Sequence, residues 1–109
     1  MAHKLFTIKK RSTFVFVRNE GEFIKGKNIN IQILHNQNLE KSIGVGYTAS
    51  KKIGNAVKRN KAKRIMRELA RKIIINGKTN SYYVLIAKPT LLDEKFSNLL
   101  IELKDKIND

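Results

Sequence analysis

Residues 55–75 constrain this chain more tightly than any other segment. Ala62, Ile65, Met66, Leu69, Ala70 and Ile73 follow the i, i+3, i+4, i+7 rhythm, and at about 100° per residue they collect on one side of a helix. A helix with one apolar stripe must bury that stripe against a second layer. On the same wheel Asn60, Arg64, Arg67 and Arg71, spaced four, three and four apart, occupy a narrow opposite sector, with Lys63 beside it. The segment therefore has to be a long helix, from about Asn55 to Ile75 and closed by Asn76 and Gly77, with a cationic outer ridge.

The second layer is expected from strands. Residues 28–34, NINIQIL, alternate strictly, with Ile29, Ile31 and Ile33 on one face and Asn30 and Gln32 on the other, the pattern of a half-buried strand. The polar HNQNLEK reads as a turn or hairpin loop into SIGVGYTAS, a Gly-interrupted strand ending near Ser50, so an antiparallel pair is expected. SYYVLIA is a continuous apolar strand stopped by Lys88 and Pro89. Ser12 is expected to cap a short helix through Phe14, Val15, Phe16 and Val17, and a last amphipathic helix runs from about Leu92 to Ile107. The order is α-β-β-α-β-α, an α+β two-layer fold. A chain of 109 residues is the size of one ordinary domain. Its 41% hydrophobic and 29% charged residues are globular proportions, so one domain over 1–109 is expected, with flexible ends at 1–8 and 108–109.

Charge says what the ridge is for. The formal net charge is +14, and residues 51–72 hold ten of the 23 Lys and Arg against one acid, Glu68. Like charges three or four apart on a helix destabilise it by a few tenths of a kcal/mol per pair. An external polyanion would compensate. A merely solvated face is the alternative, but acids able to pair along the helix are scarce and arginine, whose planar fork matches phosphate oxygens, dominates the sector. Asn60 adds a group able to meet a base edge or a 2′-hydroxyl.

Other chemistries find little support. The chain has no Cys, which removes disulfides and thiolate sites and suits a reducing compartment. No apolar run approaches the roughly 18 residues of a membrane span, so a cytoplasmic, membrane-free location is expected. Asp93 and Glu94 are the one adjacent acidic pair, and His3 and His35 stand apart. Neither a carboxylate metal cage nor an acid–base pair is expected, so no catalytic and no metal-binding residue is assigned.

The run SKKIGNAVKRNKAKRIMRE, Ser50 to Glu68, resembles the signature of the bacterial ribonuclease P protein component. Lys51, Lys52, Gly54, Asn55, Ala56, Val57, Arg59, Asn60, Lys63, Arg64 and Arg67 all fall at matching spacings. KKRSTFVFV resembles that family's first helix, VGYTASKK its second strand and YYVLIAKP its third. The resemblance implies three helices with a central sheet and a left-handed βαβ crossover around the Arg-Asn helix. It implies a protein subunit of an RNA-catalysed endoribonuclease: the catalytic RNA, with Mg²⁺ held mainly by that RNA and the substrate, removes the 5′ leader of precursor tRNA. The protein itself is non-catalytic.

By the same resemblance Arg59, Asn60, Lys63, Arg64 and Arg67 contact the catalytic RNA, and Arg71, next in the same helical sector, is expected to extend that surface. Phe14, Arg18, Lys51 and Lys52 meet the leader in a cleft between the first helix and the sheet. Two positions depart from the family pattern: Arg18 and Gln32 stand where aromatics are common. A ribosomal or other structural RNA-binding protein would share the charge and size, and the spacing within 50–68 argues against it. A DNA-binding module would need a second helix joined by a short turn, where a strand precedes the basic helix. A membrane-surface helix would need the apolar stripe that the sheet requires, and the chain has no Trp.

Overall fold

The computed structural model describes residues 4–107. The alternating isoleucines form β3 (Ile29–Leu34), with Ile29, Ile31 and Ile33 buried and the intervening residues half-buried. The Gly-interrupted segment forms β4 (Ile43–Thr48) and the apolar run forms β5 (Ser81–Ala87). Two three-residue strands, β1 (Leu5–Thr7) and β2 (Glu22–Ile24), complete a five-stranded mixed sheet ordered β1-β4-β5-β3-β2. The helices are α1 (Arg11–Glu20), α2 (Ala56–Lys72) and α3 (Phe96–Ile107). This is the expected small α+β domain, with two edge strands added to its order.

Several local expectations need correction. The segment after β3 is no hairpin: β4 is not paired to β3, because β5 lies between them, parallel to β4 and antiparallel to β3. A strand buried on both faces gains most from a neighbour on each side, and β5 is the most continuously apolar of the three. The intervening loop instead bends through left-handed residues Asn36, Glu40 and Lys41. It is pinned by Asn80, whose side-chain oxygen accepts from the backbone N–H of Leu39 and of Lys41.

Ser12 does not cap α1; the N-cap position is Lys10, with no side-chain cap, and Ser12 lies inside the first turn. Within the span expected to be flexible, Leu5–Thr7 pair in parallel with Ile43–Val45 and Ile8 is buried; residues 1–3 and 108–109 lie outside the described residues. The long helix ends at Lys72 and continues as a tight turn at Ile74–Asn76. The last helix begins at Phe96 because Pro89–Asp93 form a separate turn with Pro at its start.

Helices α2 and α3 cover one face of the sheet. Ala62, Met66, Leu69 and Ala70 of α2 and Leu99 and Leu103 of α3 are buried against Ile29, Ile31, Ile43, Val45, Tyr83 and Leu85, while Ile65 and Ile73 close the margin. One carboxylate ties α3 to the sheet: Glu102 accepts from the backbone N–H groups of Asn28 (2.9 Å) and Ile29 (3.1 Å) and from the Asn28 amide (2.8 Å). Asn28 is 2% exposed, and a buried amide of this kind needs such partners. Among the described residues the opposite face carries α1.

Candidate nucleic-acid interface

The ridge is built from the turn that precedes α2. Gly54 sits at φ +136°, a conformation that side chains disfavour, and the Asn55 side chain accepts from the Lys58 N–H to cap the helix. The Gly-Asn pair therefore fixes where the helix starts and in which direction it leaves the sheet. Asn60, Arg64, Arg67 and Arg71 are exposed along one side of α2, as their spacing requires.

The six ridge residues are not equivalent. Arg59 is half-buried and donates from Nη1 to the Gly54 carbonyl at 3.1 Å, so its fork secures the turn. Lys63 is half-buried on the flank. Arg71 pairs with Glu68 on the helix surface. The Arg67 guanidinium lies over the Tyr47 ring, 5.9 Å from its centroid, an arrangement favourable through the ring quadrupole. Asn60 and Arg64 have no side-chain partner among the described contacts, and Arg64 is the most available phosphate arm.

The second surface is a cleft between α1 and the end of β4. It has a volume of about 390 Å³ and is lined by Lys9, Arg11, Phe14, Val15, Arg18 and Thr48. Its aromatic floor depends on glycine. A Cβ at Gly46 would come within 2.4 Å of the Phe14 ring, so only a bare strand lets that ring lie down. Phe14 and Arg18, one turn apart, share the cleft side of α1, whereas Phe16 points away and is 44% exposed.

Of the sequence-assigned cleft residues, Phe14 and Arg18 are brought together. Lys51 and Lys52 are not part of the cleft lining; they stand exposed in the turn Lys51–Ile53 just past Thr48, where the Ser50 hydroxyl accepts from the Lys52 N–H. Gln32 lies beside Val84 on the cleft face of the sheet, opposite Phe23 of β2. Lys9 and Arg11 were missed, although KKR at 9–11 was the available signal: a basic run just before an amphipathic helix flanks whatever that helix covers. A groove with three cationic side chains and a half-buried aromatic has the ingredients of a single-strand site.

Acid–base and metal chemistry have no comparable assembly among the described residues. Among the described residues no three His, Cys, Asp or Glu side chains gather to hold a metal ion, so the donor set does not fit a Mg²⁺ held by this chain alone. His35 shares a hydrogen bond with Ser81, Nδ1 to Oγ 2.7 Å, beside the Tyr83 ring. Burial, reinforced by the Lys78 charge and opposed by Glu22, lowers its pKa. This is a packing role, since the Ser81 hydroxyl is fully buried. His3 lies outside the described residues. No described helix is long and apolar enough to cross a membrane.

A mixed sheet carrying an arginine ridge on one helix and a basic aromatic cleft under another defines a small RNA-binding α+β protein. The chain belongs to the ribonuclease P protein family: the family model described as Ribonuclease P matches residues 2–108. It is 32% identical over 102 residues to the ribonuclease P protein component of Caulobacter vibrioides, covering 93% of this chain and 68% of that protein. With the Alkaliphilus metalliredigens ribonuclease P protein component it shares 35% over 92 residues, 84% of this chain and 81% of the other. The Staphylococcus aureus RNase P protein superposes with a TM-score of 0.79 at 25% identity, covering 94% of this chain and 92% of that one. The Thermotoga maritima RNase P protein gives 0.79 over 94% of both chains; at 21% identity this likeness speaks for the fold alone.

Proposed function

We propose that residues 1–109 act as one RNA-binding domain, the protein subunit of a ribonuclease P holoenzyme that removes the 5′ leader of precursor tRNA. The catalytic RNA docks on the α2 ridge, through Arg64 and Asn60 foremost, with Arg67, Arg71, Lys63 and the turn held by Arg59 completing the surface. The leader enters the α1 cleft, where one nucleotide stacks on Phe14 while Arg18, Lys9 and Arg11 neutralise its phosphates; Lys51 and Lys52 meet phosphates beyond the cleft mouth. Hydrolysis belongs to the RNA and the Mg²⁺ it holds with the substrate, in the bacterial cytoplasm.

The single observation that carries this reading is the pairing of two separate basic surfaces on one small sheet. One is a convex helix suited to structured RNA. The other is a concave aromatic groove suited to a single strand. The test is reconstitution: purified protein is added to a bacterial ribonuclease P RNA at low Mg²⁺ with precursor tRNA. Restored cleavage at the mature 5′ end is expected, with no cleavage by RNA-free protein. Failure to restore cleavage, or specific processing by the protein alone, would overturn the reading.

A further inference from the structure

At the rim where α2 passes β4, a small pocket of about 200 Å³ is lined by Leu5, Phe6, Thr7, Tyr47, Arg67 and Arg71. Tyr47 lies on the α2 side of the sheet, in the row shared with Leu85, but is only half-buried. Burial raises its phenol pKa while Arg67 and Arg71 draw it down, so both guanidinium charges act on the ring. Phe6, on the edge strand, turns its ring to the opposite face of the sheet, edge-on to Tyr82.

An arginine stem covering a tyrosine at a solvent margin is commonplace. The open space beside this pair is not explained by that role. The described lining presents two guanidinium groups and the Tyr47 ring with no acid of its own, Arg71 being paired with Glu68 on its outer side, a poor fit for a cation or a peptide carboxamide and a good one for an aromatic anion. A guanidinium already set against a ring supplies a stacking platform whose ordering cost is met within the fold.

We propose that this pocket holds one unstacked nucleotide, its base against the Arg67–Tyr47 pair and its phosphate at Arg71. The inference rests on the reading of α2 as an RNA-binding ridge and adds to it a base contact among phosphate contacts. A nucleotide bulged from structured RNA and a free mononucleotide share this chemistry, and the experiment separates them.

Three variants are compared for affinity toward a bacterial ribonuclease P RNA over a salt series, each checked by thermal melting. Tyr47→Leu keeps apolar bulk and removes the ring; Arg67→Lys keeps charge and removes the plane; Arg64→Ala removes a ridge arm outside the pocket. Tyr47→Leu and Arg67→Lys are each expected to weaken binding about tenfold, the scale of one lost stacking contact, with the salt dependence unchanged. Arg64→Ala is expected to reduce that dependence. Native affinity for the first two with a weakened Arg64→Ala overturns the pocket and leaves the ridge standing. Native behaviour of all three overturns the ridge as well. Ultraviolet crosslinking of the unaltered protein to the same RNA, mapped by mass spectrometry, bypasses any folding defect: an adduct on Tyr47 is expected, and adducts on α2 with none on the Tyr47 ring overturn the proposal. A saturable shift of the Tyr47 ring resonances by AMP, together with native RNA affinity of Tyr47→Leu, would assign the pocket to free nucleotides and overturn its RNA form.

Discussion

The two faces of the sheet are built on different terms. Toward α2 and α3 the sheet meets two long helices over a continuous buried layer running from Ile29 and Ile43 to Leu99 and Leu103. Toward α1 the buried apolar set is Ile8, Val17 and Val84, edged by Phe14, Leu34, Tyr82 and Ile86. Glycines at 44 and 46 sit under aromatic rings there, because a Cβ at either would collide with Phe6 and Tyr82 or with Phe14. One face holds the molecule together, and the other is kept thin enough to leave ring surface and sheet surface within reach of solvent. Recognition on the thick side is displaced to the outside of α2, where charge costs the core nothing.

The sharpest way to break this contrast is truncation on each side. Leu69→Ala should destabilise the protein by about 2–5 kcal/mol in denaturant unfolding. Val17→Ala, which removes two methyl-sized groups from the thin cluster, should cost about 1–2 kcal/mol; equal losses would show that the two faces bear load alike. In the cleft, Phe14→Ala should weaken holoenzyme binding of precursor tRNA by about 1–3 kcal/mol while mature tRNA binding stays put. Equal losses for both ligands would return Phe14 to a packing role. Gly46→Ala, which must push the Phe14 ring aside, should act in the same direction and less strongly.

On the outer ridge, Arg64→Ala should lower the slope of log affinity against log salt by about 0.7–1, with circular dichroism unchanged. The smallest expected effect is at the far end of the sheet. Because burial depresses the folded pKa of His35, the unfolded chain binds the proton more readily. The His35 contribution is complete above the unfolded value of about 6.5 and is lost as pH falls through the folded value. His35→Gln should flatten that acid limb of the stability curve; an unchanged pH profile would remove His35 from it.

The long helix was legible because its stripe and its ridge repeat over five turns or so of sequence, and β3 because three isoleucines alternate without interruption. The Leu5–Thr7 and Glu22–Ile24 strands were not, since three residues contain too little of a period-two pattern to register. The missed insertion of β5 has a different cause. The polar loop at 35–42 satisfies every local criterion for a hairpin, and strand order is decided by long-range pairing that no local window contains. The continuous apolarity of SYYVLIA was nevertheless a sign that this strand needed neighbours on both edges. At the interface the ridge was readable from spacing, but not that Arg59 is engaged by the Gly54 carbonyl or Arg67 by Tyr47. Those partners lie in other elements, and only the fold brings them into reach.

The central position of β5 also sets the order in which the molecule can be made. A nascent chain ending before Ser81 already contains β3, β4 and the whole of α2, yet lacks the strand that pairs with both of the others. Its apolar helix stripe has no finished surface to settle on until the last quarter of the chain is synthesised. Closure of the sheet then joins β5 to partners 38 residues away in β4 and 48 to 58 residues away in β3 in one step, a non-local event of the kind that slows folding. During that interval the most cationic helix of the protein is displayed without its scaffold.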